Sequence, residues 1–149
     1  MSVDKNVRIF YLWCMFIPIT VGISPTLKIR GVLAAKEIKK GQVIERCPVV
    51  LMNAKHDSYI DQTALKNYYY EWNKKYSAVV LGYGSLYNHS YTPNAQYVYN
   101  YAKKLMVYRA LKDIKKGEEI FINYNYFPRS KKKLDSGLVS KDKTYNSIK

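Results

Sequence analysis

Residues 81–95 read LGYGSLYNHSYTPNA. The stretch changes character midway. Leu81 to Tyr87 are apolar apart from Ser85, with glycines at 82 and 84. Asn88 to Asn94 then form the densest polar cluster of the chain. An amide, an imidazole and a hydroxyl in succession, stiffened by Pro93, suit a loop that holds a polar ligand. They suit a self-satisfied turn network equally well, so the cluster alone leaves both readings open.

Working outward, residues 95–101 and 104–110 alternate and predict a hairpin, with Lys103-Lys104 near its turn. Upstream, DQTALKNYYYEWNKKY at 61–76 places Leu65, Tyr68 (or Tyr69), Trp72 and Tyr76 at spacings of three and four. That pattern predicts a helix capped by Asp61, its aromatic stripe turned to the core. Strands are expected at 16–23, at 28–35 around Gly31, at 42–51 with a bend at Pro48, and at 119–124. One phrase occurs twice, KEIKKGQVI at 36–44 and KDIKKGEEI at 112–120, at a constant offset of 76 residues. So wide a spacing excludes stacked neighbouring repeats. The phrase reads as one strand-turn-strand element used twice, on opposite sides of one site.

The chain has 149 residues, which suits one domain with tails, and a 48% apolar share, enough for a core. Cys14 and Cys47 are too few for a four-cysteine zinc site and read as reduced thiols of an intracellular protein, cytoplasmic or nuclear. The net charge of +14 favours acidic partners. Yet 20 of the 25 basic residues are Lys, and Asn, Tyr and Ile are also abundant. All four have AT-rich codons, so part of the charge reflects nucleotide composition. The apolar run 9–23 is shorter than the roughly 20 residues of a membrane span, and Pro18 interrupts it. It is expected to be a lead-in (1–15) followed by a strand, with Met15 an alternative start. From Arg129 to Lys149 the chain is polar and basic without periodicity, and a mobile tail is expected. No nucleophile elbow surrounds either histidine, and Gly82-Tyr83-Gly84 lacks the third glycine and the lysine of a phosphate loop. Nothing supports metal ligation by His56 and His89, and no metal site is expected.

Three segments, in order, resemble the SET-domain protein lysine methyltransferases. Lys28-Ile29-Arg30-Gly31-Val32-Leu33-Ala34 is similar to the family's GxG-Val-Phe-Ala segment, with Ile29 in place of its first glycine. Asn88-His89-Ser90-Tyr91-Thr92-Pro93-Asn94 matches its Asn-His-Ser-x-x-Pro-Asn, and Gly117-Glu118-Glu119-Ile120-Phe121-Ile122-Asn123-Tyr124 resembles its Gly-Glu-Glu-Leu-x-x-x-Tyr. The resemblance covers residues 16–128 and is especially close to short, free-standing SET proteins of viruses and bacteria. It implies a mainly β fold of small sheets (a β-clip) with one or two helices and a C-terminal pseudoknot, in which Asn88 and Tyr124 share one site.

The resemblance further implies methyl transfer from S-adenosylmethionine to a lysine amine. It places Arg30, Gly31, Asn88, His89 and Phe127 at the cofactor, and Tyr124 at both the cofactor and the reacting amine. Tyr97, Ile122 and Tyr126 are expected to line the lysine channel. An aliphatic Ile122 leans towards more than one methyl per lysine, whereas Tyr97 argues against it. Family members with a cysteine-rich zinc segment use it to complete the channel. This chain has no cysteine after Cys47, so Tyr126 and Phe127 are expected to substitute. Asn123 replaces an acidic or small residue common before the tyrosine. A histone or another basic protein is the expected substrate, with Glu71, Glu118 and Glu119 offsetting the enzyme's own charge. Nucleic-acid contact by the tail and a homodimer stay open. The alternative is a SET-like module that no longer catalyses and binds chromatin or nucleic acid.

Overall fold

The computed structural model describes residues 17–134. The lead-in, Met15 and the tail beyond Leu134 lie outside the described residues. Strands β1 (Ile19–Ile23) and β2 (Arg30–Ala34) form an antiparallel hairpin. Strands β3 (Val43–Asn53), β4 (Tyr69–Asn73), β5 (Tyr76–Val80), β7 (Ala95–Asn100) and β8 (Leu105–Ala110) form an antiparallel sheet ordered β4-β5-β3-β8-β7. Strands β6 (Asn88–His89) and β9 (Phe121–Ile122) pair in parallel. Among the described residues, helix is confined to α1 (Asp57–Ile60) and to 3-10 turns at Ala54–His56, Ala64–Asn67 and Gly84–Leu86. The mainly β class and the 95–110 hairpin are as the sequence indicates.

The helix expected over 61–76 does not form. Tyr70 and Trp72 point inward and Glu71 outward, which is the period of two of a strand. Aromatic side chains fit a half-buried pleated surface, and Lys74-Lys75 turns the chain into β5. The sheet curls until its edge strands meet through side chains. Tyr99 of β7 donates its hydroxyl to the Glu71 carbonyl of β4 at 2.8 Å, and its ring meets Trp72 edge-on at 5.2 Å. This contact satisfies an edge carbonyl that another strand would otherwise pair.

The two copies of the repeated phrase are not on opposite sides of a site; they pair with each other. Ile38 and Ile114 exchange both backbone hydrogen bonds, at 2.9 and 2.8 Å. Gly41 N–H donates to Ala110 O at 2.8 Å, and its counterpart Gly117 N–H donates to Ala34 O at 2.7 Å. Ala110 N–H donates to Gln42 O and Ala34 N–H to Glu118 O, at 3.0 and 2.8 Å. Each bond maps onto its partner under the offset of the repeat, so the copies are related by a local two-fold through Ile38 and Ile114. Both isoleucines are fully buried.

The second copy leads into β9, which returns beside β6 at the heart of the C-terminal pseudoknot. Asn94 pins the crossing. Its Nδ2 donates to Glu119 O at 2.8 Å, and its Oδ1 accepts from Phe121 N–H at 2.8 Å. The basic segment from Arg129 stays attached through Leu134, whose N–H donates to the Tyr91 hydroxyl at 3.1 Å.

Candidate active site

Asn88 is buried, and its Nδ2 donates to Arg30 O at 3.0 Å and to Glu119 Oε1 at 2.7 Å. The other carboxylate oxygen of Glu119 accepts from the Ser24 hydroxyl in the β1–β2 loop. One buried carboxylate therefore joins the N-terminal hairpin, β6 and the start of β9. Gly31 is required by this cluster. A Cβ there would stand 2.5 Å from Glu119 Oε1 and 2.8 Å from Asn88 Nδ2. Arg30 reaches outward, donating from Nη2 to the Tyr68 hydroxyl at 3.1 Å. Ser24 and the hub role of Glu119 were not foreseen from sequence. Glu119, moreover, is 5% exposed and committed internally, so it does not offset surface charge.

Tyr124 follows β9 directly. Its hydroxyl donates to Tyr87 O at 2.8 Å, and its N–H donates to His89 Nδ1 at 3.2 Å. His89 thus presents a lone pair at Nδ1, and its ring lies 5.1 Å from that of Tyr124. Burial holds the Tyr124 hydroxyl well above the ordinary tyrosine range, with nearby Tyr70, Tyr68 and Glu119 adding to it. It stays protonated and acts as a donor.

The carbonyl that receives this hydroxyl is itself fixed. Tyr87 is fully buried, stacks on Tyr108 at 4.5 Å and donates its own hydroxyl to Glu45 Oε2 at 3.3 Å. Glu45 lies in the core because β3 bulges between Val43 and Glu45, which turns Ile44 and Glu45 inward together. Desolvation raises the Glu45 carboxyl above its usual range. Its Oε1 accepts from Tyr83 N–H at 3.0 Å, and a Cβ on Gly82 (φ +76°) would meet that oxygen at 2.4 Å. These two requirements explain the first of the two glycines in the Leu81–Tyr87 run, Gly82. Nothing local in the sequence marks Glu45 as part of this support.

Beyond Tyr124 opens a groove of about 730 Å3, lined by Tyr97, Tyr99, Tyr124, Tyr126, Phe127 and Lys132, among others. Tyr97 donates its hydroxyl to Tyr124 O at 3.3 Å. Tyr126 adopts a left-handed backbone (φ +70°) and stacks on Tyr99 at 5.2 Å. Such a backbone in a bulky residue costs of order 1–3 kcal/mol and persists because the surrounding rings fix it. Of the expected channel residues, Tyr97 and Tyr126 face this groove, whereas Ile122 is fully buried in the core opposite His89. Of the expected cofactor residues, Arg30, Gly31, Asn88 and His89 gather around β6, and Phe127 lies on the groove.

A curled antiparallel sheet, a doubled β-turn element and a parallel β6–β9 crossing that joins Asn88 to Tyr124 define one class of fold. The chain belongs to the SET-domain family: that family's model matches residues 29–125. The chain is similar to the "Histone-lysine N-methyltransferase, H3 lysine-37 specific" of Schizosaccharomyces pombe, 32% identical over 96 residues. That match covers 64% of this chain and 65% of the relative, so the chain spans less than two-thirds of the relative's length. Among solved structures it resembles a candidate histone methyltransferase of Plasmodium falciparum at 34% identity and a TM-score of 0.60, covering 73% of this chain and 94% of that one. Polycomb Repressive Complex 2 of Chaetomium thermophilum shares the fold, with a TM-score of 0.63 at 21% identity over 74% of this chain and 16% of that one. Among the described residues no helix is long and apolar enough to cross a membrane.

Proposed function

We propose that the protein transfers methyl groups from S-adenosylmethionine to lysine side chains of a histone or a similar basic protein. The observation that carries this reading is the meeting of the Tyr124 hydroxyl with the Tyr87 carbonyl, beside the Asn88–Glu119 cluster. The residues fit the cofactor chemically. Both hydrogens of Asn88 Nδ2 are committed to Arg30 O and Glu119, which leaves Oδ1 as the acceptor for an ammonium group. The Tyr87 carbonyl and the Tyr124 hydroxyl oxygen present partial negative charge to a positively polarised carbon. When bound, the cofactor supplies an electrophilic methyl group.

The chain's own residues do the rest. The nucleophile is a neutral lysine amine, scarce at pH 7 because the unperturbed pKa is about 10.4. The aromatic walls of the groove, Tyr97 and Tyr126 above all, desolvate the amine and lower that pKa. Tyr124, held protonated, orients the amine and stabilises developing charge; with its phenolate unpopulated it does not serve as a base. Glu45, Tyr87 and Tyr108 keep the receiving carbonyl still, so little reorganisation accompanies the reaction.

The test is transfer of labelled methyl from S-adenosylmethionine to core histones and to a cell lysate. Wild-type protein is expected to label one or both. Tyr124→Phe is expected to lower kcat roughly 100-fold or more, as loss of one preorganised dipole at the reacting centre does. Absence of both transfer and cofactor binding in the wild type overturns the function. Transfer unaffected by Tyr124→Phe overturns the residue's role alone.

A further inference from the structure

Among the described residues past β9 none belongs to a sheet, yet Tyr126, Phe127, Ser130 and Lys132 still form one wall of the groove. Side-chain amides hold that wall. Asn123 is 2% exposed, and its Nδ2 donates to Ser130 O at 2.8 Å and more weakly to Pro128 O at 3.4 Å. Its Oδ1 accepts from Asn125 N–H at 3.0 Å, and Asn125 Nδ2 donates to Lys132 O at 2.9 Å. At the outer end Lys131 Nζ donates to Tyr91 O at 2.7 Å. We propose that Asn123 is a positioning residue that clasps the strap 128–132 into place as a wall of the groove, and thereby sets the affinity for the lysine-bearing protein substrate. The substrate half of this proposal rests on the methyltransferase reading above.

The identity of the residue is what matters. Asn123 faces two backbone carbonyls, which need a donor, and one N–H, which needs an acceptor. Only a side chain with both functions at this length serves all three. An aspartate of the same shape would keep the acceptor and set a carboxylate oxygen against the carbonyls of Pro128 and Ser130. The backbone bonds leading into the strap, Tyr126 N–H to Asn123 O at 3.1 Å and Ser130 N–H to Phe127 O at 2.9 Å, shape its turns but do not tie it to the sheets. Asn123 does, because it continues from Ile122, whose carbonyl accepts from Ser90 N–H at 2.9 Å. Among the described residues the Asn88–Glu119–Gly31 cluster makes no hydrogen bond to the strap, so loosening the strap leaves that cluster intact.

The full chain, with Asn123→Asp and Asn125→Ala variants, is compared in two measurements. In the first, trypsin is used sparingly, because the strap carries exposed Arg129. Asn123→Asp is expected to be cut after Arg129 at least 10-fold faster with little change in Tm, and Asn125→Ala to shift the same way by less. In the second, transfer to core histones is followed. Asn123→Asp is expected to raise KM for histones about 10-fold while kcat and KM for S-adenosylmethionine stay near wild type. Unchanged cleavage after Arg129 in both variants overturns the clasp. Faster cleavage with unchanged histone KM, or a loss confined to kcat, overturns the substrate role. If wild-type protein transfers no methyl at all, the methyltransferase reading falls, and the trypsin measurement still decides the clasp.

Discussion

In the first copy of the repeated phrase Val43 pairs with Arg109; in the second, Glu119 pairs with Leu33. Under the offset of the repeat, 43 corresponds to 119 and 109 to 33, so the two pairs are one contact seen twice. The turns, the exchanged bonds at Ile38 and Ile114 and the left-handed glycines at φ +81° and +85° are likewise duplicated. What differs is the side chain at one position. Val43 is half-buried and supports packing, whereas Glu119 is buried and collects Ser24 and Asn88. The same backbone element is a strut in one copy and a site component in the other. A fold of this kind separates the residues that make the scaffold from those that make it specific.

Exchanging that one side chain tests the separation most severely. Glu119→Val puts the first copy's residue into the second and strands the Asn88 amide and Ser24 hydroxyl without their buried acceptor. The expected cost is about 3 kcal/mol in urea unfolding. Methyl transfer is expected to fall about 100-fold, since misplacing Asn88 misaligns the site. The reverse exchange, Val43→Glu, lies at a half-buried position and is expected to leave transfer within a few fold of wild type. Next in size are the residues on the local two-fold. Ile38→Ala and Ile114→Ala each empty a fully buried site and are expected to cost about 3 kcal/mol, equal within error. Because the two side chains flank one another, the double variant should cost measurably more or less than the sum. Strongly unequal single costs would break the equivalence of the copies.

How far the sequence carried depends on whether a contact is local. The 95–110 hairpin was legible because its alternation matches a strand and its partner is adjacent. The run 61–76 reads as a helix because spacings of two and of three to four coexist in so aromatic a stretch, and only the pairing of β4 with β5 decides between them. Asn88 and Tyr124 could be placed in one site only through family resemblance, since 36 residues separate them and the parallel β6–β9 pair joins them. The repeat was visible, but its self-pairing was not: both copies present the same pattern whether or not they touch. Glu45 and Asn123 were invisible as functional supports. One turns inward through a bulge, and the other acts on backbone carbonyls, which no side-chain pattern reveals.

Smaller effects should still be paired across the copies. Gly41→Ala and Gly117→Ala meet no neighbour within 4 Å, so each pays only for a left-handed backbone, about 1 kcal/mol by thermal or urea unfolding. A difference of more than about 0.5 kcal/mol between them would show that one turn is strained beyond its own conformation.

The smallest expected effect is electrostatic, and here the copies diverge again. Asp113 Oδ1 accepts from Lys40 N–H at 2.8 Å, and Oδ2 from Lys39 Nζ at 3.4 Å. Its counterpart Glu37 meets Lys39 Nζ at 2.5 Å. The Lys40 N–H, and secondarily Lys39, hold the Asp113 carboxyl below its usual range. A carboxyl depressed in the folded state adds stability that is fully present above its unfolded pKa of about 3.9 and is lost as pH falls through the folded value. The stability difference between wild type and Asp113→Asn should therefore be steady at neutral pH and shrink below about pH 4. Both carboxylates are solvated, so salt should weaken the Lys39 contacts in each copy, but it should spare the backbone bond that only Asp113 makes. Urea unfolding of wild type and Asp113→Asn from pH 7 to pH 2, at low and at high salt, measures this. A stability difference that does not shrink below about pH 4, or that vanishes with added salt, would show that the backbone bond of Asp113 is not what distinguishes the second copy from the first.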